Sequence, residues 1–259
     1  MKNVRSFYLG MGILSVCAVI GAWELIAVLK ISNNIEVPSP FRVGERMFVI
    51  REQLGYELLQ TLRRAGLGLF LAIVTMIPLG IVLGYSRFWS RLFEPVIDLL
   101  RPLPTPAIIP LVMLIAGIND SAKVGVIFYG TSFPILLNTI DAVRGVHPMV
   151  PLTAQSLRLT TYEAFYFVYL PAALPQVMAG LRTSVSIALL ISVTSEMLLS
   201  TDGLGVFLVR SQETFRLTDG LAAICLLAIS AFVINRLNLS VERRVLFWHH
   251  ESNRDRNSN

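Results

Sequence analysis

Long apolar runs separated by short polar segments form the dominant pattern of this chain. A helix that crosses a bilayer needs about 20 mostly apolar residues. The pattern therefore predicts six transmembrane helices, over residues 7–29, 58–85, 102–118, 122–143, 174–200 and 219–239. The first run, at 23 residues, exceeds the roughly 7–15 residues of a signal-peptide core, so we expect it to be retained. The amphipathic segment 41–50 predicts a short helix at the membrane interface.

Glycine and proline set two of these runs apart. In the second run, Gly80 and Gly84 have the four-residue spacing that lets two helices approach closely. The third run carries four prolines, at positions 102, 104, 106 and 110. Because proline removes a backbone donor and clashes with the preceding turn, this run cannot form one regular helix. Two interpretations stay open, a broken segment that lines a transport path and a kinked helix that only packs.

The segment between the fourth and fifth runs is polar enough to lie outside the membrane. Thr160 and Glu163 have the spacing of a capping box, in which each side chain binds the backbone N–H of the other residue. This spacing predicts a helix that starts at 160–161. We expect Leu170–Pro171 to end that helix and Pro175 to lie in the first turn of the next. An amphipathic helix pair with aromatic and acidic side chains favours docking on a partner protein.

Composition and charge agree with a membrane protein. Hydrophobic residues make up 54% of the 259 residues and charged residues 15%, against about 25% in soluble domains. The net charge of +5 comes from Lys and Arg that mostly flank the apolar runs, so we expect no nucleic-acid partner. Their distribution places both termini in the cytoplasm. Arg87 and Arg91 are assigned to a short inner loop, and 201–218 to an outer loop.

Motifs for chemistry within the chain are missing. A phosphate-binding loop needs a Gly-Lys pair before Ser or Thr, and the lysines at 2, 30 and 123 follow Met, Leu and Ala. Spacings typical of a metal site or of a hydrolase nucleophile do not occur either. We therefore expect no catalytic residue, no metal and no cofactor in this chain.

Seven short motifs follow one another along the sequence: WEL at 23–25, VPSP at 37–40, IPLGIVLG at 77–84, LRPLP at 100–104, FPILLN at 133–138, SEM at 195–197 and GLG at 203–205. Together they resemble the permease subunits of ATP-binding-cassette (ABC) importers, in their nitrate, sulfonate and taurine branch. The segment 154–182 is similar to the coupling loop of that family and shares its Leu-Pro end at Leu170–Pro171. At Leu152, Thr153 and Arg158 the family pattern has instead an acidic residue, an alanine and a glycine.

The resemblance implies an all-α integral membrane protein with six transmembrane helices of the type I ABC importer permease kind and a cytoplasmic coupling helix. It divides the chain into an N-terminal helix and interfacial helix (1–57), a core permease domain of five spans with a coupling loop at 144–173 (58–240), and a polar cytoplasmic tail (241–259).

The resemblance also implies partners. They are a second copy of this chain, two ABC ATPase subunits that bind ATP and Mg²⁺, a periplasmic or lipid-anchored solute-binding protein, and the lipid of a bacterial inner membrane. The implied solute is a small anion such as a sulfonate, taurine, nitrate or bicarbonate. A pyrimidine-type vitamin precursor and, from another class, a stand-alone secondary transporter or channel stay as alternatives.

Two sets of site residues follow. The resemblance implies that coupling to the ATPase involves Ala154, Leu157, Arg158, Thr160, Glu163, Phe165, Leu170 and Pro171. Polar residues inside spans tend to face a cavity, and together with the proline break they give a candidate translocation path: Pro104, Pro106, Asn138, Arg182, Ser192, Thr194 and Glu196. For Glu196 a hydrogen-bonded structural role is an equal alternative.

Overall fold

The computed structural model describes residues 2–29, 37–146, 156–160, 163 and 165–246. These residues form nine α-helices, one π-helical turn and no strand. The helices are α1 (Lys2–Leu29), α2 (Pro40–Val49), α3 (Arg51–Tyr85), α4 (Arg87–Leu100), α5 (Thr105–Ala116), α6 (Asp120–Arg144), α7 (Leu170–Leu199), α8 (Leu204–Glu213) and α9 (Leu217–Val245), with the π-turn (Phe165–Tyr169) directly before α7.

Four helices in the described part of the chain, α3, α6, α7 and α9, are long and apolar enough to cross a membrane. The pair α4 and α5 forms a fifth apolar segment, bent by 92° at its break. Helix α1 is 28 residues long. Its apolar stretch Leu14–Leu29 is shorter than the four long apolar helices, and its side chains are mostly exposed. The prediction of an all-α integral membrane protein is confirmed.

The break between α4 and α5 confirms that the third apolar run is not one regular helix. Pro104 takes the N-cap position of α5, and Pro106 lies in the first turn, where a missing N–H costs nothing. The prediction of a loop at Arg87 and Arg91 is wrong, because both residues belong to α4. This helix forms because its apolar stripe packs against α3 and α6, with Phe93 and Ile97 as contacts.

Helices α3, α6 and α7 form the centre of the bundle. Gly80 and Gly84 lie where α3 meets α6, as their spacing predicts. A Cβ at Gly80 would come within 2.7 Å of Thr139 Cβ, and one at Gly84 within 2.7 Å of Val143 Cβ. The two backbones therefore approach as closely as they do only because these residues lack side chains.

The segment 201–218 is not a simple outer loop, as the sequence suggested, because it contains α8. Leu204 and Phe207 of this helix are buried against Val43 of α2 and Leu54 of α3. A ten-residue helix with such a buried face is held by tertiary packing rather than by its own propensity. The predicted domain boundaries at 57/58 and 240/241 fall inside α3 and α9, so neither coincides with a break in the helices.

Candidate functional site

At one end of the bundle, α6 ends and α7 begins, and the residues between them include the predicted coupling segment. The capping box is confirmed. The Thr160 amide donates to Glu163 Oε2 at 2.8 Å, and the Glu163 amide donates to Thr160 Oγ1 at 3.3 Å. The backbone hydrogen bond from Thr160, and then that from its hydroxyl, lower the pKa of the Glu163 carboxyl below its usual value. We call this end of the molecule the 156–170 end.

Arg158 occupies the position at which the family pattern has glycine. Its φ of 51° lies in the left-handed region that glycine adopts readily and other residues adopt at a cost of about 1–2 kcal/mol. The bend is therefore present although the glycine is not. Leu157, Arg158, Thr160 and Glu163 are all exposed, so this segment is accessible to a partner.

The structure differs from the sequence predictions at Leu170–Pro171 and at Pro175. The π-turn continues directly into α7, so Leu170–Pro171 does not end a helix. Pro171 lies in the first turn of α7, where its missing N–H needs no partner, whereas Pro175 lies inside this helix and not in its first turn. Leu170 lines an apolar cavity of about 110 Å³ between α3, α6 and α7. Phe165 begins the π-turn, and Ala154 lies outside the described residues.

A polar groove follows the break between α4 and α5. It has a volume of about 570 Å³ and is lined by residues from the break and from one face of α6: Arg101, Leu103, Thr105, Tyr129, Gly130, Phe133, Pro134, Leu137, Asn138 and Asp141. The predicted path residue Asn138 lines this groove, and Pro104 and Pro106 flank Thr105. The Tyr129 hydroxyl donates to the Leu100 carbonyl at 2.6 Å, which ties α6 to the end of α4.

Asn138 also links two helices within the groove wall. Its Nδ2 donates to the Pro134 carbonyl, one turn earlier in α6, at 2.8 Å. Its Oδ1 accepts from Gln176 Nε2 of α7 at 3.3 Å. Asn138 is thus a predicted path residue that lines the groove, and its role in transport stays a prediction. Arg101, Thr105 and Tyr129 line the groove as well and were not predicted. The signal for Arg101 was its position directly before the proline-interrupted run, within the LRPLP motif at 100–104.

Arg182 and Thr194 do not line this groove. Arg182 forms an ion pair with Glu242 of α9. The Thr194 hydroxyl donates to the Leu190 carbonyl of its own helix at 2.8 Å.

Ser192 and Glu196 lie near the opposite end of the bundle, which we call the 196–205 end. Both are fully buried. The Ser192 hydroxyl donates to the Thr61 carbonyl at 3.0 Å. Glu196 accepts hydrogen bonds from Thr61 Oγ1 at 2.8 Å, Arg64 Nη1 at 3.0 Å and the Gly205 amide at 3.1 Å. These contacts favour the structural alternative for Glu196, while its role in transport stays a prediction.

Arg64, which was not predicted as a site residue, is the centre of this charged cluster. Its side chain is only 2% exposed and contacts three carboxylates, those of Glu196, Asp202 and Asp120. Lys123 Nζ in turn donates to Asp120 at 3.1 Å. The cluster joins α3, α6, α7 and the turn before α8. Its signal was a charged residue within the predicted second span, which is costly unless the charge is paired.

Comparisons with known proteins agree with this architecture. Residues 76–247 match the family described as "Binding-protein-dependent transport system inner membrane component". The taurine transport system permease protein TauC of Escherichia coli is 32% identical over 95% of this chain and 92% of its own length. The putative aliphatic sulfonates transport permease protein SsuC of Bacillus subtilis is 27% identical over 92% of this chain and 87% of its own length.

A solved structure shows the same fold. One chain of the MetNI methionine ABC transporter, in an inward-facing conformation, superposes with a TM-score of 0.64. The match covers 78% of this chain and 98% of that one at 18% identity. The family match covers more than half of the chain, and the taurine relative exceeds 30% identity over nearly its full length. The chain belongs to the family of inner membrane components of binding-protein-dependent transport systems.

Proposed function

We propose that this membrane-spanning transport subunit forms the path by which a small organic sulfonate enters the cell, driven by ATP hydrolysis in a separate ATPase. The similarity to permeases named for taurine and aliphatic sulfonates supports the solute class. The observation that carries the proposal is the polar groove at the α4–α5 break, because a cationic side chain, Arg101, lines it. A sulfonate is a permanent anion at physiological pH and needs such a group within an apolar bundle.

The ATPase would bind at the 156–170 end. The exposed side chains of Leu157 and Glu163 support this, because they lie where a partner can reach them. ATP and Mg²⁺ would be bound by the ATPase, and this chain would transmit its closure to α6 and α7. A second copy of this chain would complete the path as a homodimer, and a solute-binding protein would deliver the sulfonate at the 196–205 end.

The proposed orientation places the 156–170 end and both termini in the cytoplasm. Arg144 lies at this end of α6, and Arg243 and Arg244 lie in the last turn of α9, which agrees with the tendency of basic residues to face the cytoplasm. The exposed apolar side chains of α1, α3 and α9 suit contact with membrane lipid.

Deletion of the gene in its native host, followed by return of the full-length gene, tests the solute class. We expect the deletion to remove ATP-dependent uptake of radiolabelled taurine or ethanesulfonate and the returned gene to restore it. Uptake of nitrate is measured in the same strains, so that an inorganic anion is compared with the two sulfonates. If the deletion left uptake of taurine and ethanesulfonate unchanged, the proposal would be refuted, and a fall in nitrate uptake alone would assign nitrate in place of a sulfonate.

A charge reversal tests the coupling role. Glu163→Lys is expected to lower taurine uptake at least fivefold, because it breaks the capping box on the surface offered to the ATPase. Copurification of the ATPase should fall much less. Glu94→Lys, at an exposed position of α4, is the matched control and should retain uptake. Unchanged uptake in the Glu163 variant would exclude a coupling role for this residue.

A further inference from the structure

Arg101 is the one arginine that lines the groove at the α4–α5 break, and within the described residues it has no anionic partner. Arg64 and Arg182 each form an ion pair, as does Arg46, which pairs with Asp219. Within the described residues, no hydrogen bond or ion pair involves the Arg101 side chain, which is exposed and lines the groove at the α4–α5 break. Its guanidinium is thus available to a ligand in that groove.

The position of Arg101 along the bundle follows from two contacts between α4 and α6. Arg144 donates to Ser90 Oγ near the start of α4, and Tyr129 donates to the Leu100 carbonyl at its end. Helix α4 therefore runs antiparallel to α6, from the 156–170 end toward the middle of the bundle. Tyr129 lies nine residues into the 25-residue α6, or about 14 Å from its start at a rise of about 1.5 Å per residue.

The depth of Arg101 in the bundle limits the routes by which a ligand can reach it. The hydrocarbon core of a bilayer is about 30 Å thick, so a group about 14 Å along α6 lies near the middle of the span. A charged side chain at this depth is costly, by about 2.5–3.5 kcal/mol on insertion scales, and such residues typically mark a solute or ion path. An anion that reaches Arg101 must therefore come along the groove.

The positive and negative side chains of the groove, Arg101 and Asp141, lie at different positions along it. Asp141 lines it too, but lies twelve residues after Tyr129, about 18 Å along α6 and toward the 156–170 end. No ion pair joins Arg101 and Asp141 in the part of the chain that is described. The cationic end of the groove is thus the deep one, beside Thr105 and its hydroxyl.

We propose that Arg101 is the anion-binding residue of the groove and holds the sulfonate group of the solute as it passes the α4–α5 break. This rests on the function proposed above. The planar guanidinium can donate two parallel hydrogen bonds to an oxyanion. A single arginine with the Thr105 hydroxyl makes a site weak enough to release its ligand, as a transport path requires.

The test uses the full complex of this chain with its ATPase in proteoliposomes, with saturating solute-binding protein and taurine as the probe. Initial uptake and ATP hydrolysis are measured together. Arg101→Gln is expected to lower uptake about tenfold or more, the loss expected for a charge-assisted hydrogen bond, while ATP hydrolysis stays within twofold of wild type. Because Arg101 is exposed, its removal leaves no buried charge unpaired, and the complex should assemble.

Three variants separate binding from structure. Arg101→Lys keeps the charge and should recover at least half of the lost uptake. Arg91→Gln changes an exposed arginine of the same helix and should behave as wild type. Asp98→Asn changes an exposed carboxylate of the same helix that does not line the groove and should also behave as wild type.

Two results would overturn the assignment while leaving the sulfonate function intact. One is uptake within twofold of wild type in Arg101→Gln. The other is a parallel fall of uptake and ATP hydrolysis in both Arg101 variants, which would show a structural role. A wild-type complex that imports neither taurine nor ethanesulfonate would instead refute the proposed function, and the assignment with it.

Discussion

Replacing Arg64 by Met is expected to destabilise the folded chain by about 3–5 kcal/mol, the usual cost of breaking a buried ion pair by removing one partner. The magnitude depends on what each of its three carboxylate partners loses. Asp120 is 43% exposed and keeps Lys123, and Asp202 is 28% exposed and can turn to water. Glu196 is 0% exposed and would keep only two hydrogen bonds, so nearly all of the cost arises there.

The same reasoning ranks two further variants. Glu196→Gln keeps the shape and one acceptor oxygen and leaves Arg64 with Asp120 and Asp202, so it should cost about 1–2 kcal/mol. In the double variant, the buried residue at 196 is neutral and no longer needs a cation. Arg64→Met with Glu196→Gln should therefore be more stable than Arg64→Met alone, with a coupling energy of at least about 1 kcal/mol.

The assay is reversible unfolding of the full-length chain in mixed micelles by titration with sodium dodecyl sulfate, followed by tryptophan fluorescence. The free energy of unfolding is compared for the wild type, both single variants and the double variant. The reasoning would be refuted if Arg64→Met cost less than about 1 kcal/mol, or if the two single changes added without coupling.

Two further predictions concern the helix contact and the capping box. Gly80→Ala should destabilise the chain by about 1–3 kcal/mol, because the new Cβ would lie 2.7 Å from Thr139 Cβ. Gly66→Ala, which has no neighbouring atom within 4 Å, should not, and equal losses in the same titration would contradict the packing argument. In carbon-13 NMR of the full chain, the Glu163 carboxyl should titrate below its usual pKa, and Thr160→Val should raise that pKa. Because the pKa of Glu163 is lowered on folding, the stabilisation by the cap is complete at neutral pH and is lost as pH falls through the lowered pKa. An unchanged Glu163 pKa in Thr160→Val would show that Thr160 does not cause the lowering.

Four membrane helices, α3, α6, α7 and α9, could be predicted from the sequence because a long apolar run is itself the signal for a membrane-crossing segment. The third predicted run was displaced, since the apolar segment there is the bent pair α4 and α5. The ends of the helices could not be predicted. Helix α3 starts at Arg51 and α9 ends at Val245, each several residues beyond the apolar run, because a helix continues into water as long as its backbone hydrogen bonds are made. Helix α8 was not predicted because its buried face packs on α2 and α3, which are distant in sequence.

The charged residues show the same limit. Capping by Thr160 and Glu163 could be predicted, since the two residues are three apart. The partners of Arg64 could not, because Glu196 and Asp202 lie more than 130 positions away. Arg101 and Arg182 could not be told apart by type or hydropathy. What separates them is Glu242, a carboxylate on another helix that neutralises only the second.

The left-handed conformation of Arg158 bears on how such coupling loops are recognised. A search pattern that demands glycine at this position would pass over this chain, although the backbone makes the turn that glycine ordinarily supplies. Sequence patterns for this loop should therefore allow residues other than glycine at this position. Arg158→Gly should leave the turn in place and relieve its backbone strain.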